Sequence, residues 1–246
     1  MTASLSTLHA LSLDSIGFFG RSYDEYLRLF ALDAAALSRR RILDVAAGPA
    51  SFAAEASRRG FDVTAVDPLY GCTPAALRAH IHLDYARMFA RMRAQPGLFR
   101  FERFCSFAEA EADRTAAAQG FLTDYDAHFV HGRYVGGALP RLPFATATYD
   151  LVLCGHLLFL HQRQFDFAFH LAACRELLRV ARQEVRIHPL CGPDGQRYPA
   201  MDELLDALRA DGVQGEERPA GQEFFRGANT VLVLRPVSAG ICGERG

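Results

Sequence analysis

Residues 42 to 67 constrain the fold of this chain more than any other stretch. Ile42-Leu43-Asp44-Val45-Ala46-Ala47 is a short apolar run with one acid, the pattern of a buried strand. Gly48-Pro49 breaks it. Ala50 to Arg59 is alanine-rich and helical, and Gly60 is placed to end that helix. Asp62-Val63-Thr64-Ala65-Val66-Asp67 is a second strand, rich in β-branched residues and closed by an acid. Strand, turn, helix and strand in this order form the βαβ unit of a parallel sheet.

The rest of the chain is read around that unit. The start to about Asp14 has little pattern and reads as a loose arm. Ser22 with Glu25 three residues later is a capping box for a helix of about three turns, and a second short helix starts near Asp33. Thr73-Pro74 starts a long helix whose face is Leu77, Ile81, Tyr85, Met88, Phe89 and Met92, ended by Pro96-Gly97. Ser106 and Glu109 cap a helix running to about Gly120, and Thr123 with Asp126 suggests a further short one closed by Gly132. Strands follow at Arg133-Tyr134-Val135, Tyr149 to Cys154, Glu184 to Leu190, Val213 to Arg218 and Thr230 to Arg235, with helices at Phe165 to Val180 and Met201 to Arg209. The expected organisation is one domain over residues 1–246, with an N-terminal helical segment at 15–38 and a helical insertion at 71–132 that together cover the carboxyl edge of the sheet.

Composition removes several chemistries. All 27 basic residues are arginine, so Schiff-base enzymes, pyridoxal phosphate anchoring, phosphate-loop lysines and the protein-kinase set are excluded. The formal net charge of -1 offers no global field for nucleic acid or an anionic membrane. The most apolar stretch, Leu151 to Leu160, is short and holds His156, so no membrane span is expected. Six cysteines without a C-x-x-C pair read as reduced thiols, and Met1 to Ser15 lacks the basic start of a secretory signal, so the expected location is cytoplasmic.

The chemistry concentrates at the turn. Small residues after Asp44 let a ligand meet the backbone, and Asp67, roughly 20 residues on, is placed to accept hydrogen bonds from both ribose hydroxyls. This constellation resembles class I S-adenosylmethionine-dependent methyltransferases. Their first motif is D-x-G-x-G-x-G, and this chain has Asp44-Val45-Ala46-Ala47-Gly48-Pro49-Ala50. Ala46 and Ala50 still allow a close approach where φ stays negative. Tyr134-Val135-Gly136-Gly137-Ala138, then Leu142-Pro143-Phe144 and Tyr149-Asp150-Leu151-Val152, is similar to the family's "v-x-gDa…LPF…FDlV" stretch, with Gly137 where an acid usually contacts adenine. The resemblance runs from about residue 17 to 235. Gly20-Arg21-Ser22, Glu184-Val185-Arg186-Ile187 and Arg226-Gly227-Ala228-Asn229 resemble a bacterial group of such enzymes.

The resemblance implies a Rossmann-like, seven-stranded, mostly parallel sheet with an antiparallel last strand, in a three-layer αβα arrangement with a helical lid. It implies S-adenosyl-L-methionine as cofactor and a small-molecule acceptor. The cofactor-binding positions it implies are Arg21, Tyr26, Asp44, Ala46, Gly48, Phe52, Asp67, Pro68, Gly137, Ala138, Cys154 and Gly155. Cys154-Gly155-His156 replaces the N-P-P-Y-like run of amino-group methyltransferases. His156, at the carboxyl end of a central strand, is the candidate base or substrate contact, against a histidine merely packed near the sheet edge. His161 is a weaker candidate that caps or starts the next helix. Arg21 either pairs with the methionine carboxylate or is a surface arginine. Arg186 either enters the cleft or pairs with Glu184, and Arg133 is the third arginine to inspect. His80, His82 and Asp84 read as solvated helix, because residues two apart face different ways. Phe99, Phe101, Phe104 and Phe107 read as core, with an apolar face that covers a hydrophobic substrate as the alternative.

Two alternatives remain. An NAD(P)-dependent oxidoreductase predicts no antiparallel terminal strand. A non-catalytic S-adenosylmethionine-binding protein predicts binding without turnover, and a sealed, solvent-poor pocket beside the methyl group counts against it.

Overall fold

The structure is a computed structural model and describes residues 16–237 except Glu102. The N-terminal arm and the Met1 to Ser15 stretch lie outside these residues, apart from Ile16 onward.

Seven strands form one sheet in the order β3-β2-β1-β4-β5-β7-β6. They are β1 (Arg41–Val45), β2 (Asp62–Asp67), β3 (Tyr134–Gly136), β4 (Tyr149–Gly155), β5 (Ala181–His188), β6 (Val213–Pro219) and β7 (Thr230–Pro236). β1 to β5 pair in parallel. β7 runs antiparallel to both neighbours, with Arg186 opposite Val233 and Glu216 opposite Val233 on the other side. The expected mostly parallel sheet with an antiparallel last strand is therefore present.

Among the described residues six α-helices pack on it: α1 (Tyr23–Leu29), α2 (Phe52–Arg58), α3 (Pro74–Ala94), α4 (Phe107–His128), α5 (Phe167–Val180) and α6 (Met201–Ala210). Side chains alternate across a strand, so each strand feeds two cores. Ile42, Val63 and Leu151 join the core under α1 to α4, while Leu43, Val66 and Val152 join the one under α5 and α6. Asp44 has the parity of Ile42, which points it towards α1.

The caps at Ser22, Thr73 and Ser106 are formed as expected. Three elements differ. α1 has seven residues rather than three turns, because Ala31 turns left-handed (φ 49°) and Leu32 N–H bonds back to Leu27 O. The segment at Asp33 forms only a 3₁₀ turn, Ala35–Leu37. The helix expected to end near Gly120 and the short one expected after it are one continuous 22-residue helix. Gly120 costs that helix about 1 kcal/mol. Burying Phe121 and Tyr125 on its inner face returns roughly 2 kcal/mol each. Thr123 does not cap; its hydroxyl donates to Gln119 O within the helix.

Candidate functional site

The chain leaves β1 towards β2 and β3 on one side, then crosses to β4 and β5 on the other. The crevice above the carboxyl ends of β1 and β4 is the topological switch point, where open parallel sheets hold ligands. A cavity of about 500 Å³ lies there. It is lined by the residues that follow each of the first four strands: Val45 to Gly48, Asp67 to Leu69, Gly137 to Leu139 and Gly155 to Leu157. Residues 16–21, Tyr26, the α3 residues His80, Asp84 and Met88, and Leu160, His161, Phe165 and Phe169 also line it.

The 16–21 segment is clamped over the glycine loop. Gly20 N–H donates to Tyr85 Oη at 3.1 Å, Phe18 N–H to Asp84 Oδ2 at 2.8 Å, and Ser51 N–H to Arg21 O at 3.1 Å. A Cβ on Gly20 would lie 2.1 Å from Pro49 O, so only glycine permits this approach. His80 and Asp84, four residues apart, share the face of α3 turned to the cavity; His80 and His82 are exposed as expected of a solvated helix, whereas Asp84 is half-buried under the Phe18 N–H. Among the described residues no group of three or more histidine, cysteine, aspartate or glutamate side chains is arranged to hold a metal ion.

The loop is held by two side chains at and just after the end of β2, Asp67 and Tyr70. Asp67 Oδ2 accepts from Gly48 N–H and Oδ1 from Leu69 N–H, both at 3.0 Å. Tyr70 Oη donates to Gly48 O at 2.5 Å. Burial raises the Asp67 carboxyl to about 6, with the two amide hydrogen bonds acting in the opposite direction. Gly48 is left-handed (φ 54°), and so is Ala46 (φ 55°). The expectation of negative φ at Ala46 is therefore corrected. The loop keeps the conformation that glycine would adopt, at a cost of about 1–2 kcal/mol from the Cβ.

Of the expected positions, Arg21, Tyr26, Ala46, Gly48, Asp67, Pro68, Gly137, Ala138, Gly155 and His156 line the cavity. Asp44, Phe52 and Cys154 do not; they are buried one layer beneath it. Tyr26 links two of them to the surface. Its hydroxyl donates to Asp44 Oδ1 at 3.3 Å and its ring stacks on Phe52 at 4.6 Å. Asp44 Oδ2 has no partner, and burial holds that carboxyl well above the usual carboxylate range. Cys154 belongs to the core under α5, where burial pushes its thiol up. Gly137 has a steric reason to lack the usual acid: a Cβ would meet Pro143 at 2.8 Å and Val66 at 2.9 Å.

His156 is left-handed (φ 55°) at the end of β4, an uncommon conformation that clusters at functional sites. Its N–H donates to His188 O at 2.7 Å. Burial, and then the nearby Arg21 charge, hold its imidazole well below the usual histidine value, so it is neutral at pH 7. His161 also lines the cavity and does not cap α5, which Asp166 caps. Arg21 donates to Phe19 O at 3.2 Å. Burial and repulsion from Arg114 lower its guanidinium to about 10, so the cation persists at neutral pH. Arg186 bonds Glu184, Phe30 O and Ala31 O, and Arg133 bonds Asp124, so neither enters the cavity.

A second, smaller chamber of about 60 Å³ adjoins the first and shares Phe19, Arg21, Met88, His156 and Leu160 with it. Sequence reasoning missed its polar residues, Glu25, Arg114 and His188. Glu25 and Arg114 form an ion pair at 2.9 Å with side chains 0% and 1% exposed. Glu25 reads in sequence as a capping-box acid. The structure uses only its backbone N–H for the cap and sends its carboxylate to α4. Its partner is 89 residues away, so no local signal reveals the pair.

No protein-family model matches the chain. It is similar to an uncharacterized protein of the archaeon Methanocaldococcus jannaschii, 29% identical over 226 residues, covering 92% of this chain and 98% of that one. Among solved structures it is similar to magnesium protoporphyrin IX methyltransferase from Synechocystis with bound S-adenosylmethionine (14% identity, 87% of this chain, 77% of that chain, TM-score 0.47). It is also similar to 1,6-didemethyltoxoflavin-N1-methyltransferase from Burkholderia thailandensis with bound substrate and S-adenosylhomocysteine (16% identity, 82% and 76%, TM-score 0.40). Among the described residues no helix is long and apolar enough to cross a membrane.

Proposed function

We propose that this protein transfers a methyl group from S-adenosylmethionine to a small-molecule acceptor. The observation that carries the proposal is the combination of Asp67, at the carboxyl end of β2 beside the Gly48 loop, with an antiparallel β7 beside β5. The sequence resemblance implies both, and the oxidoreductase alternative predicts no such strand. The cavity volume of about 500 Å³ is in the range of small-ligand sites.

The residues fit this cofactor. Asp67 keeps free lone pairs beyond its two amide bonds and accepts the ribose hydroxyls. Arg21, a cation facing the cavity with no carboxylate bonded to it among the described residues, holds the methionine carboxylate. Gly137 and Ala138 offer backbone to the adenine edge, at a point too crowded for a side chain. Bound sulfonium supplies an activated methyl group with its own leaving group. The protein then aligns the acceptor and excludes water. The 16–21 segment and α3 serve as the lid, and neutral His156 contacts the acceptor or takes its proton. The apolar-lined inner chamber beyond His156 supports catalysis over cofactor binding alone.

Isothermal titration with S-adenosylhomocysteine tests the proposal. Saturable binding in the micromolar range is expected, with no binding of NAD; absence of binding at high micromolar ligand ends the cofactor assignment.

A further inference from the structure

The inner chamber has the features of an acceptor site, and they specify its occupant. Three residues that line it each carry a buried polar atom without a hydrogen-bond partner: Glu25 Oε2, Arg114 Nε and His188 Nδ1. Burying such groups without partners costs about 1–3 kcal/mol each, so they mark a place for a ligand. The His188 tautomer follows from its other nitrogen. Nε2 lies 3.2 Å from Ala228 O, a carbonyl that only accepts, so Nε2 carries the hydrogen and Nδ1 presents a bare lone pair. Desolvation lowers this imidazole to about 3, which keeps it neutral.

Charge is the second constraint. Arg114 is neutralised by Glu25, and Arg21 is assigned to the cofactor carboxylate. The chamber therefore holds no free charge for an ionic acceptor, and a buried unpaired ion is expensive. Shape is the third. Phe224 and Phe225 both pack tilted against Phe99 around it, with ring centroids 5.5 and 5.7 Å from that ring. About 60 Å³ admits the leading part of one ring, with the remainder in the space between Phe19, Met88 and Leu160 that joins the two cavities.

We propose that the inner chamber binds a small, uncharged phenol as methyl acceptor, with its hydroxyl donating to His188 Nδ1. This assignment rests on the methyltransferase reading above. The phenol oxygen forms the new O–CH₃ bond with its own lone pair. The electrons of the breaking S–CH₃ bond remain on sulfur, and the phenolic proton passes to His188 Nδ1. That proton becomes strongly acidic as the oxygen is alkylated, so a weakly basic imidazole suffices to take it. His156, between the two spaces, contacts the acceptor and positions it.

The test is calorimetric titration of phenol and of benzoate into protein saturated with S-adenosylhomocysteine, followed by mass detection of anisole from phenol and S-adenosylmethionine. Phenol should bind at least tenfold more tightly than benzoate. His188→Ala should weaken phenol at least tenfold, and Ala228→Leu, which fills the chamber and keeps its backbone carbonyl, should do the same. Retained S-adenosylhomocysteine affinity in either variant shows that it is folded. Benzoate binding as well as phenol, or phenol binding unchanged in a folded variant, overturns the assignment. Binding of S-adenosylhomocysteine without phenol refutes the acceptor alone, whereas no binding of S-adenosylhomocysteine refutes the parent reading.

Discussion

Replacing Glu25 with glutamine removes the negative half of an ion pair that has almost no contact with water. The pair is separated by 2.9 Å, with side chains 0% and 1% exposed. At that distance the attraction is about 6 kcal/mol for an effective dielectric constant of about 20. Desolvation of the two ions opposes it by several kcal/mol each, so the intact pair contributes little net stability. Removing one partner is different, because the other ion stays buried. Arg114 would retain Ala110 O and the face of Phe224 at 4.1 Å, neither of which carries a charge. The expected loss is about 3–5 kcal/mol for Glu25→Gln or for Arg114→Met alone, a large part of a domain's 5–15 kcal/mol or so. The melting temperature should fall by roughly 10 °C. The double variant Glu25→Leu/Arg114→Met should recover most of the loss, since well-packed apolar residues replace a buried pair at little cost. Urea denaturation of the wild type, Glu25→Leu, Arg114→Met and the double variant gives the coupling energy directly. A single-variant cost below about 1 kcal/mol, or a double variant as damaged as the sum of the singles, refutes the buried-pair description.

Two further predictions concern the loop. Asp67, raised to about 6 in the fold from an ordinary 3.8, is protonated more readily folded than unfolded. Its contribution to stability is therefore fully present below about pH 4 and is lost as pH rises through about 6. Cofactor binding has the opposite sign, because the ribose hydroxyls need the ionised carboxylate. S-adenosylhomocysteine affinity should be flat from pH 7 to 8 and fall below pH 6. Asp67→Asn should remove that dependence and cost about 1.5–3 kcal/mol of binding, measured by titration at each pH. Ala46→Gly relieves a left-handed alanine (φ 55°) and should stabilise the fold by about 1 kcal/mol, raising the melting temperature by roughly 2–4 °C in calorimetry; a lower melting temperature refutes the strain.

The βαβ frame was legible because its signals are local. Alternation in Asp62 to Asp67, the Gly60 stop and the caps at Ser22, Thr73 and Ser106 each depend on residues within about four positions. Most expected site positions line the cavity for the same reason: residues that follow parallel strands emerge at one edge of the sheet. Asp44, Phe52 and Cys154 do not line it, since periodicity places a residue on an element but does not say how deep it lies. The expectation failed at Gly120 because a local helix breaker yields to burial of Phe121 and Tyr125 against other parts of the chain.

The chain's order of elements, the placement of Asp67 at the end of the strand that follows the Gly48 turn and the exclusion of lysine chemistry follow from sequence alone, since each is a property of neighbouring residues or of composition. The Glu25–Arg114 pair, the bare Nδ1 of His188, the left-handed Ala46 and the inner chamber belong to the tertiary structure. Each depends on segments far apart in sequence meeting in a low-dielectric interior, where the identity of a partner, and so the charge state and use of a side chain, is decided by packing rather than by spacing.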